Sequence, residues 1–225
     1  MSNCIYWFGD SWCAGVPGGG TPFANLTSAN LNMPYKNYGE SGTSIIDMVD
    51  TFLKNEKDFT NNDVVIFCLT TSYRFTWINE YNKRITIGTH HSDAKIKTWH
   101  VEFANDYFAS FLAHHSINTL YYMCLSKGLK PFFVNNFYKL TRSNMLTPDS
   151  AWLLPPEINL AQAALAINLI TPELAKEDRK DFTSVDWNQQ VKILEQYFIP
   201  NDDHPTQLGN KKIADCLTEI LKYKL

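Results

Sequence analysis

The stretch Asp63–Leu69, DVVIFCL, constrains this chain more than any other. It is a short, unbroken apolar run rich in β-branched residues. Only a strand covered on both faces reads this way, and that is the signature of a central strand in a parallel sheet. A second such run, Cys4–Phe8 (CIYWF), ends directly in Gly9-Asp10-Ser11. Pro131–Val134 (PFFV) is a third and leads into Asn135-Asn136, and Tyr35–Tyr38 is a weaker candidate. Parallel strands need helical crossovers, so the segments between them should be helices.

The spacing of apolar residues supplies those helices. Ser44–Lys57 carries Ile45, Met48, Val49 and Phe52 on one face. Val101–Lys127 is long and apolar at helical spacing and stops before Gly128, a C′ residue. Thr21–Asn32 has Thr21 as N-cap and Pro22 at the first helical position. Further helices are expected at Leu160–Leu169, Val185–Tyr197 and Gln207–Leu221, with Trp12–Gly20 as a glycine-rich loop. Strands alternating with helices predict an α/β fold: a three-layer α/β/α sandwich with a mostly parallel sheet of about five strands. The 225 residues suit one domain, 1–225, with insertions at about 75–99 and 141–184.

Composition excludes several function classes. The net charge is −3 and no basic block stands out, so nucleic acid is not an expected partner. No run approaches the ~20 apolar residues of a membrane span, and the first residues lack a secretory signal pattern. The five cysteines (Cys4, Cys13, Cys68, Cys124, Cys216) form no C-x-x-C pair and read as reduced, mostly buried thiols of a cytoplasmic protein. The pairs His90-His91 and His114-His115 lack partners at metal-ligand spacing, so no metal or other cofactor is expected. Gly18-Gly19-Gly20 is not followed by Lys-Ser/Thr and is no phosphate loop.

Three segments carry chemistry. Gly9-Asp10-Ser11 follows a buried strand, so its hydroxyl and backbone N–H stand at the carboxyl edge of the sheet, where reactive groups gather. Asn37-Tyr-Gly39-Glu-Ser41-Gly42-Thr43-Ser44 is a turn opening a helix, and its N–H groups could hold an anion. Asn201-Asp202-Asp203-His204-Pro205 sets a histidine beside carboxylates before the last helix, and His204 is the best candidate base of six histidines.

In order and position these segments resemble the SGNH (GDSL-like) hydrolase superfamily, of flavodoxin-like architecture. That family opens with G-D-S at the first strand and has N-x-x-x-S-G at the second. It continues with G-x-N-D after the third strand and D-x-x-H-P near the C-terminus. The resemblance spans nearly the whole chain and implies a serine esterase with Ser11 as nucleophile and His204 as base. The N–H groups of Ser11 and Gly42 would hold the oxyanion. The substrate would be a carbohydrate O-acetyl group, a lysophospholipid or another small ester.

Two departures follow from the same residues. After DVVIFCL the chain reads Thr70-Thr71-Ser72-Tyr73-Arg74, without the family's Asn. Thr71 or Ser72 could donate instead, and Arg74, Asn135 and Asn136 could reach the cleft, as could Asp10, to bind substrate. The family's Asp position is Asn201, so Asp202, Asp203 or Asn201 must orient His204. These departures motivate a rival reading, a binding or structural module that keeps the fold, and a third, an acyltransferase. The altered block and the insertions also resemble phage-encoded members, which would put the protein in a virion or host cell.

Overall fold

The computed structural model describes residues 3–72, 74–78, 84–87, 98, 106–136, 140, 145–165, 196–199 and 204–225. Four parallel strands form the main sheet: β1 (Ile5–Gly9), β2 (Tyr35–Asn37), β3 (Val64–Leu69) and a strand at Lys130–Asn135. A separate antiparallel hairpin is made by β4 (Phe75–Ile78) and β5 (Arg84–Ile87), so the Lys130 strand is β6. The order in the main sheet is β2-β1-β3-β6. The chain steps from β1 to one side for β2 and then to the other for β3. The two directions part at the carboxyl ends of β1 and β3, the place where open parallel sheets bind ligands.

The helices are α1 (Ser11–Ala14), α2 (Phe23–Asn30), α3 (Ile45–Lys54), α4 (Asp106–Ser126), α5 (Leu160–Leu165) and α6 (Gln207–Lys224). Side chains alternate across the sheet, as pleating demands. Ile5 and Trp7 of β1, Ile66 of β3 and Val134 of β6 face the layer that holds α2 and α6. Tyr6 and Phe8, Phe67 and Phe133 face the other, with α3 and α4. Burial on both faces is why β1 and β3 read as unbroken apolar runs. The sandwich expected from sequence is therefore present.

Several expectations are corrected in detail. The sheet has four strands among the described residues, not about five. Beyond β6 only single bridges occur, Phe133 with Trp152 and Asn135 with Asn159. Pro155 and Pro156 lie between them, and proline has no N–H to extend a ladder. Within the insertion expected at about 75–99, FTWI and RITI pair as the β4–β5 hairpin. It is tied to α3 where Thr76 Oγ1 donates to Asp47, whose carboxylate also accepts from the Ser44 N–H and hydroxyl in a capping box. The loop expected from Trp12 begins instead with the helical turn α1. α2 starts at Phe23, after Thr21, because its first N–H is bound by Asn210 Oδ1 at 3.0 Å rather than by a local cap.

α4 ends as its sequence implies. The Gly128 N–H donates to Leu125 O and the Leu129 N–H to Cys124 O, both at 3.0 Å, the paired bonds of a Schellman motif. His114 is buried and His115 exposed, so the pair divides between core and solvent. His90 and His91, most of Val185–Tyr197, and Tyr73, Tyr81 and Trp99 lie outside the described residues. The five cysteines are free thiols, with Cys13, Cys68 and Cys124 buried. Among the described residues no helix is long and apolar enough to cross a membrane.

Phe67 lies in the middle of a row of rings, 5.3 Å from Phe8 and 5.2 Å from Phe133, and is wholly buried. Phe67→Ala should cost about 3–5 kcal/mol of stability, read as a lower midpoint in urea denaturation.

Candidate active site

The site begins where β1 runs out. Gly9 is the last residue of the strand, and there is no room for a side chain: a Cβ would lie 2.6 Å from that of Cys13 and 3.0 Å from that of Cys68. Asp10 follows, fully buried, and caps α1 by accepting from the Trp12 N–H at 3.1 Å. The same oxygen accepts from Asn136 Nδ2 at 3.0 Å, and the other oxygen faces Arg74 Nη1 at 3.3 Å. Burial pushes the Asp10 carboxyl above its ordinary value. Arg74 pulls it back most strongly, followed by hydrogen bonds from Thr70, Trp12 and Asn136.

Capping α1 in this way fixes Ser11 as its first residue. Ser11 is 8% exposed, and its Oγ lies 2.6 Å from His204 Nε2. These two residues are 193 positions apart in the chain. Their distance is that of a hydroxyl within reach of a general base.

His204 is held by a second device. The Ile199 N–H donates to His204 O at 2.9 Å and the Thr206 N–H to Tyr197 O at 2.8 Å, a short antiparallel pairing around Pro205. Thr206 then caps α6, accepting from the Gly209 N–H. Asn210, one turn in, is buried and bonds three backbone groups. It accepts from the Phe23 N–H at 3.0 Å, and it donates to Gly19 O at 2.9 Å and Pro205 O at 3.3 Å. Gln207 Oε1 accepts from the Thr21 N–H and occupies the space that a Cβ at Gly20 would need. Gly20 has φ +73°, so both conformation and contact require glycine. The glycine run is thus a close-packed saddle for the His204 turn.

The second segment follows β2 along β1. The Tyr38 N–H donates to Trp7 O at 2.8 Å and the Glu40 N–H to Gly9 O at 3.0 Å, carrying the parallel ladder past the strand end. Gly42 stands two residues on, in left-handed backbone (φ +79°), and a Cβ there would meet open space.

The remaining predicted residues divide. Asn136 is bonded to Asp10 and fully buried, and Asn135 Nδ2 donates to Pro156 O at 2.6 Å, binding the broken edge to β6. Both, like Asp10, are turned to the protein rather than to an opening. Thr71 and Ser72 are half-buried. Ser72 and Arg74 line a shallow recess with Ile45, Ile46, Phe75, Leu112 and Ala113. Asn201, Asp202 and Asp203 lie outside the described residues. Among the described residues no group of three His, Cys, Asp or Glu is placed to hold a metal.

No family model matches the sequence, and no curated protein matches it. Solved structures do match the fold. A lipolytic G-D-S-L family structure from Desulfitobacterium hafniense DCB-2 is 11% identical with a TM-score of 0.55, covering 97% of this chain and 99% of that one. An acetyl xylan esterase from the rumen bacterium Butyrivibrio proteoclasticus is 10% identical with a TM-score of 0.51, covering 100% of this chain and 64% of that one. The fold is that of the SGNH hydrolases. Within that fold, reading the sequence missed Asn210 and Gln207, since a polar residue early in a helix gives no local sign of reaching a loop nearly 190 positions away. It also missed that Asp10 faces inward, although an acidic residue just ahead of a helical turn is the usual sign of a cap.

Asn210→Ala would leave one buried N–H and two carbonyls without their partner at the saddle. Each such group costs about 1–3 kcal/mol, so urea denaturation should show a loss of at least that size.

Proposed function

We propose that the protein is a serine esterase acting as a single domain and hydrolysing a carboxylic ester through an acyl-Ser11 intermediate. The observation that carries this reading is the 2.6 Å contact between Ser11 Oγ and His204 Nε2 at the rim of the sheet. In the first half-reaction Ser11 Oγ attacks the ester carbonyl carbon while His204 Nε2 takes the hydroxyl proton. The tetrahedral intermediate then collapses, and His204 returns that proton to the leaving alcohol. Water repeats the sequence on the acyl-enzyme and releases the acid.

The negative oxygen of the intermediate needs donors aimed at it. The Ser11 and Gly42 N–H groups are the proposed pair, with Thr71 or Ser72 in place of the family's Asn. One such donor is typically worth ~2.7–4 kcal/mol of barrier. His204 must be held in one tautomer and its developing charge offset, a role proposed for Asp202, with Asn201 or Asp203 as alternatives. The chemistry asks for no metal or organic cofactor. The narrow exposure of Ser11 favours a short acyl group. The proposed substrates are accordingly carbohydrate O-acetyl groups, lysophospholipids or other small esters.

Wild type should hydrolyse p-nitrophenyl acetate, and Ser11→Ala or His204→Ala should lose roughly 10³-fold or more in kcat. A fluorophosphonate probe should add once, at Ser11, as read by peptide mass spectrometry. Equal hydrolysis by wild type and Ser11→Ala would discard the reading.

A further inference from the structure

We infer that Arg74 is a positioning residue that pins together the turns leaving three parallel strands and thereby aims Ser11. The inference rests on the proposed hydrolase reading and adds to it a residue that the family's motif does not supply in this turn. One nitrogen, Nη1, stands 3.0 Å from Thr70 Oγ1, 3.3 Å from Asp10 Oδ2 and 3.4 Å from Thr43 O. Asp10 follows β1, Thr43 lies in the turn after β2, and Thr70 follows β3. Among the described residues the backbone bonds between these turns stop at Tyr38–Trp7 and Glu40–Gly9. Beyond them Thr70 hydrogen-bonds Asp10, and the Arg74 guanidinium reaches all three turns at once.

The charge matters as well as the reach. The Asp10 side chain is 1% exposed, while that of Arg74 is 24% exposed. Among the described residues the ionisable groups near this carboxylate are Arg74 and the Cys68 thiol, with the Cys13 thiol beside Cys68 and His204 across Ser11. Burial pushes the Cys68 thiol well up, which keeps it neutral, so Arg74 is the cation that offsets the buried charge. A buried carboxylate without its partner is strongly unfavourable, whereas removing both partners together is far less so. Asp10 in turn accepts the Trp12 N–H that shapes the turn beginning at Ser11. The cation thus acts on the nucleophile through Asp10, without touching substrate.

The test uses the full chain with Arg74→Gln, Arg74→Lys, Asp10→Asn and the double variant Asp10→Asn/Arg74→Gln. With p-nitrophenyl acetate, Arg74→Gln should lose up to roughly 100-fold in kcat, the scale of a small misplacement of a reacting group, with KM nearly unchanged. Its activity should also fall away at a higher pH than in wild type, because Asp10 titrates higher once the cation is gone. Arg74→Lys should recover part of the loss, and the double variant should be more active than Arg74→Gln. A raised KM with kcat intact would mean that Arg74 contacts substrate, and would overturn the inference. Losses that simply multiply in the double variant would overturn it too. Should Arg74→Gln not fold, the Arg74→Lys kinetics and pH profile decide in the same sense. A wild type inert to both ester and fluorophosphonate would sink the hydrolase reading instead. Urea denaturation of the four variants then still reads the pin, and absence of coupling between positions 10 and 74 would overturn it.

Discussion

β1 has two parallel neighbours, and the rim of the molecule is organised by what its last peptide groups do once the ladder ends. β3 holds one side of the strand through Gly9, opposite Cys68, and β2 holds the other through Trp7, opposite Asn37. Past that point the Gly9 carbonyl is taken by the Glu40 N–H, and the backbone turns at once into α1. A buried carboxylate is the means of turning it. Asp10 takes up the Trp12 N–H and so starts a helix of a single turn with a hydroxyl at its first position. The cost is a charge in a dry place, and the surrounding donors exist to meet that cost.

A comparable logic governs the other half of the site. His204 itself belongs to no helix or strand, yet the polar groups flanking it are anchored on elements that are themselves well packed. α6 lies along α2 and buries Ile213, Ala214, Leu217 and Leu221 in the shared core. From that base, Asn210 and Gln207 reach the loop that leads away from Ser11, and Trp12 packs against Phe198 with ring centroids 5.5 Å apart. Ser11 and His204 are therefore mounted on the same layer of the sandwich, which keeps a contact between distant parts of the chain short.

How much of this could be read from residues alone depends on the range of the forces involved. Hydrophobic runs and helical periods report local burial, and they sufficed for β1, β3, β6, α3 and α6 to within a few residues. The order of the three motif segments was enough to name Ser11 and His204 as partners. What escaped was decided at long range or by a missing hydrogen. Pro155 and Pro156 interrupt what would have been a further edge strand. The β4–β5 hairpin mixes aromatic, polar and charged residues and so hides its two-residue alternation. Asp10, Asn135, Asn136 and Arg74 all look like cleft residues because they end strands or follow them. That Asn135 and Asn136 face inward, and that Arg74 is drawn towards Asp10, depends on partners 21 to 126 positions away, which no local pattern encodes.

The separation of Ser11 and His204 has a consequence for the life history of the molecule. A ribosome adds about 5–20 residues per second, so the 193 positions between the two partners correspond to roughly 10–40 s of synthesis. Throughout that interval the hydroxyl is made, and β1 can recruit β2 and β3, but the imidazole of His204 has not yet been added. Even His204 itself comes off before the helix that seats it. The pairing of the two side chains is therefore completed late, when α6 settles onto α2. Proteolytic loss of that last helix would act in reverse, leaving both side chains covalently present but no longer neighbours.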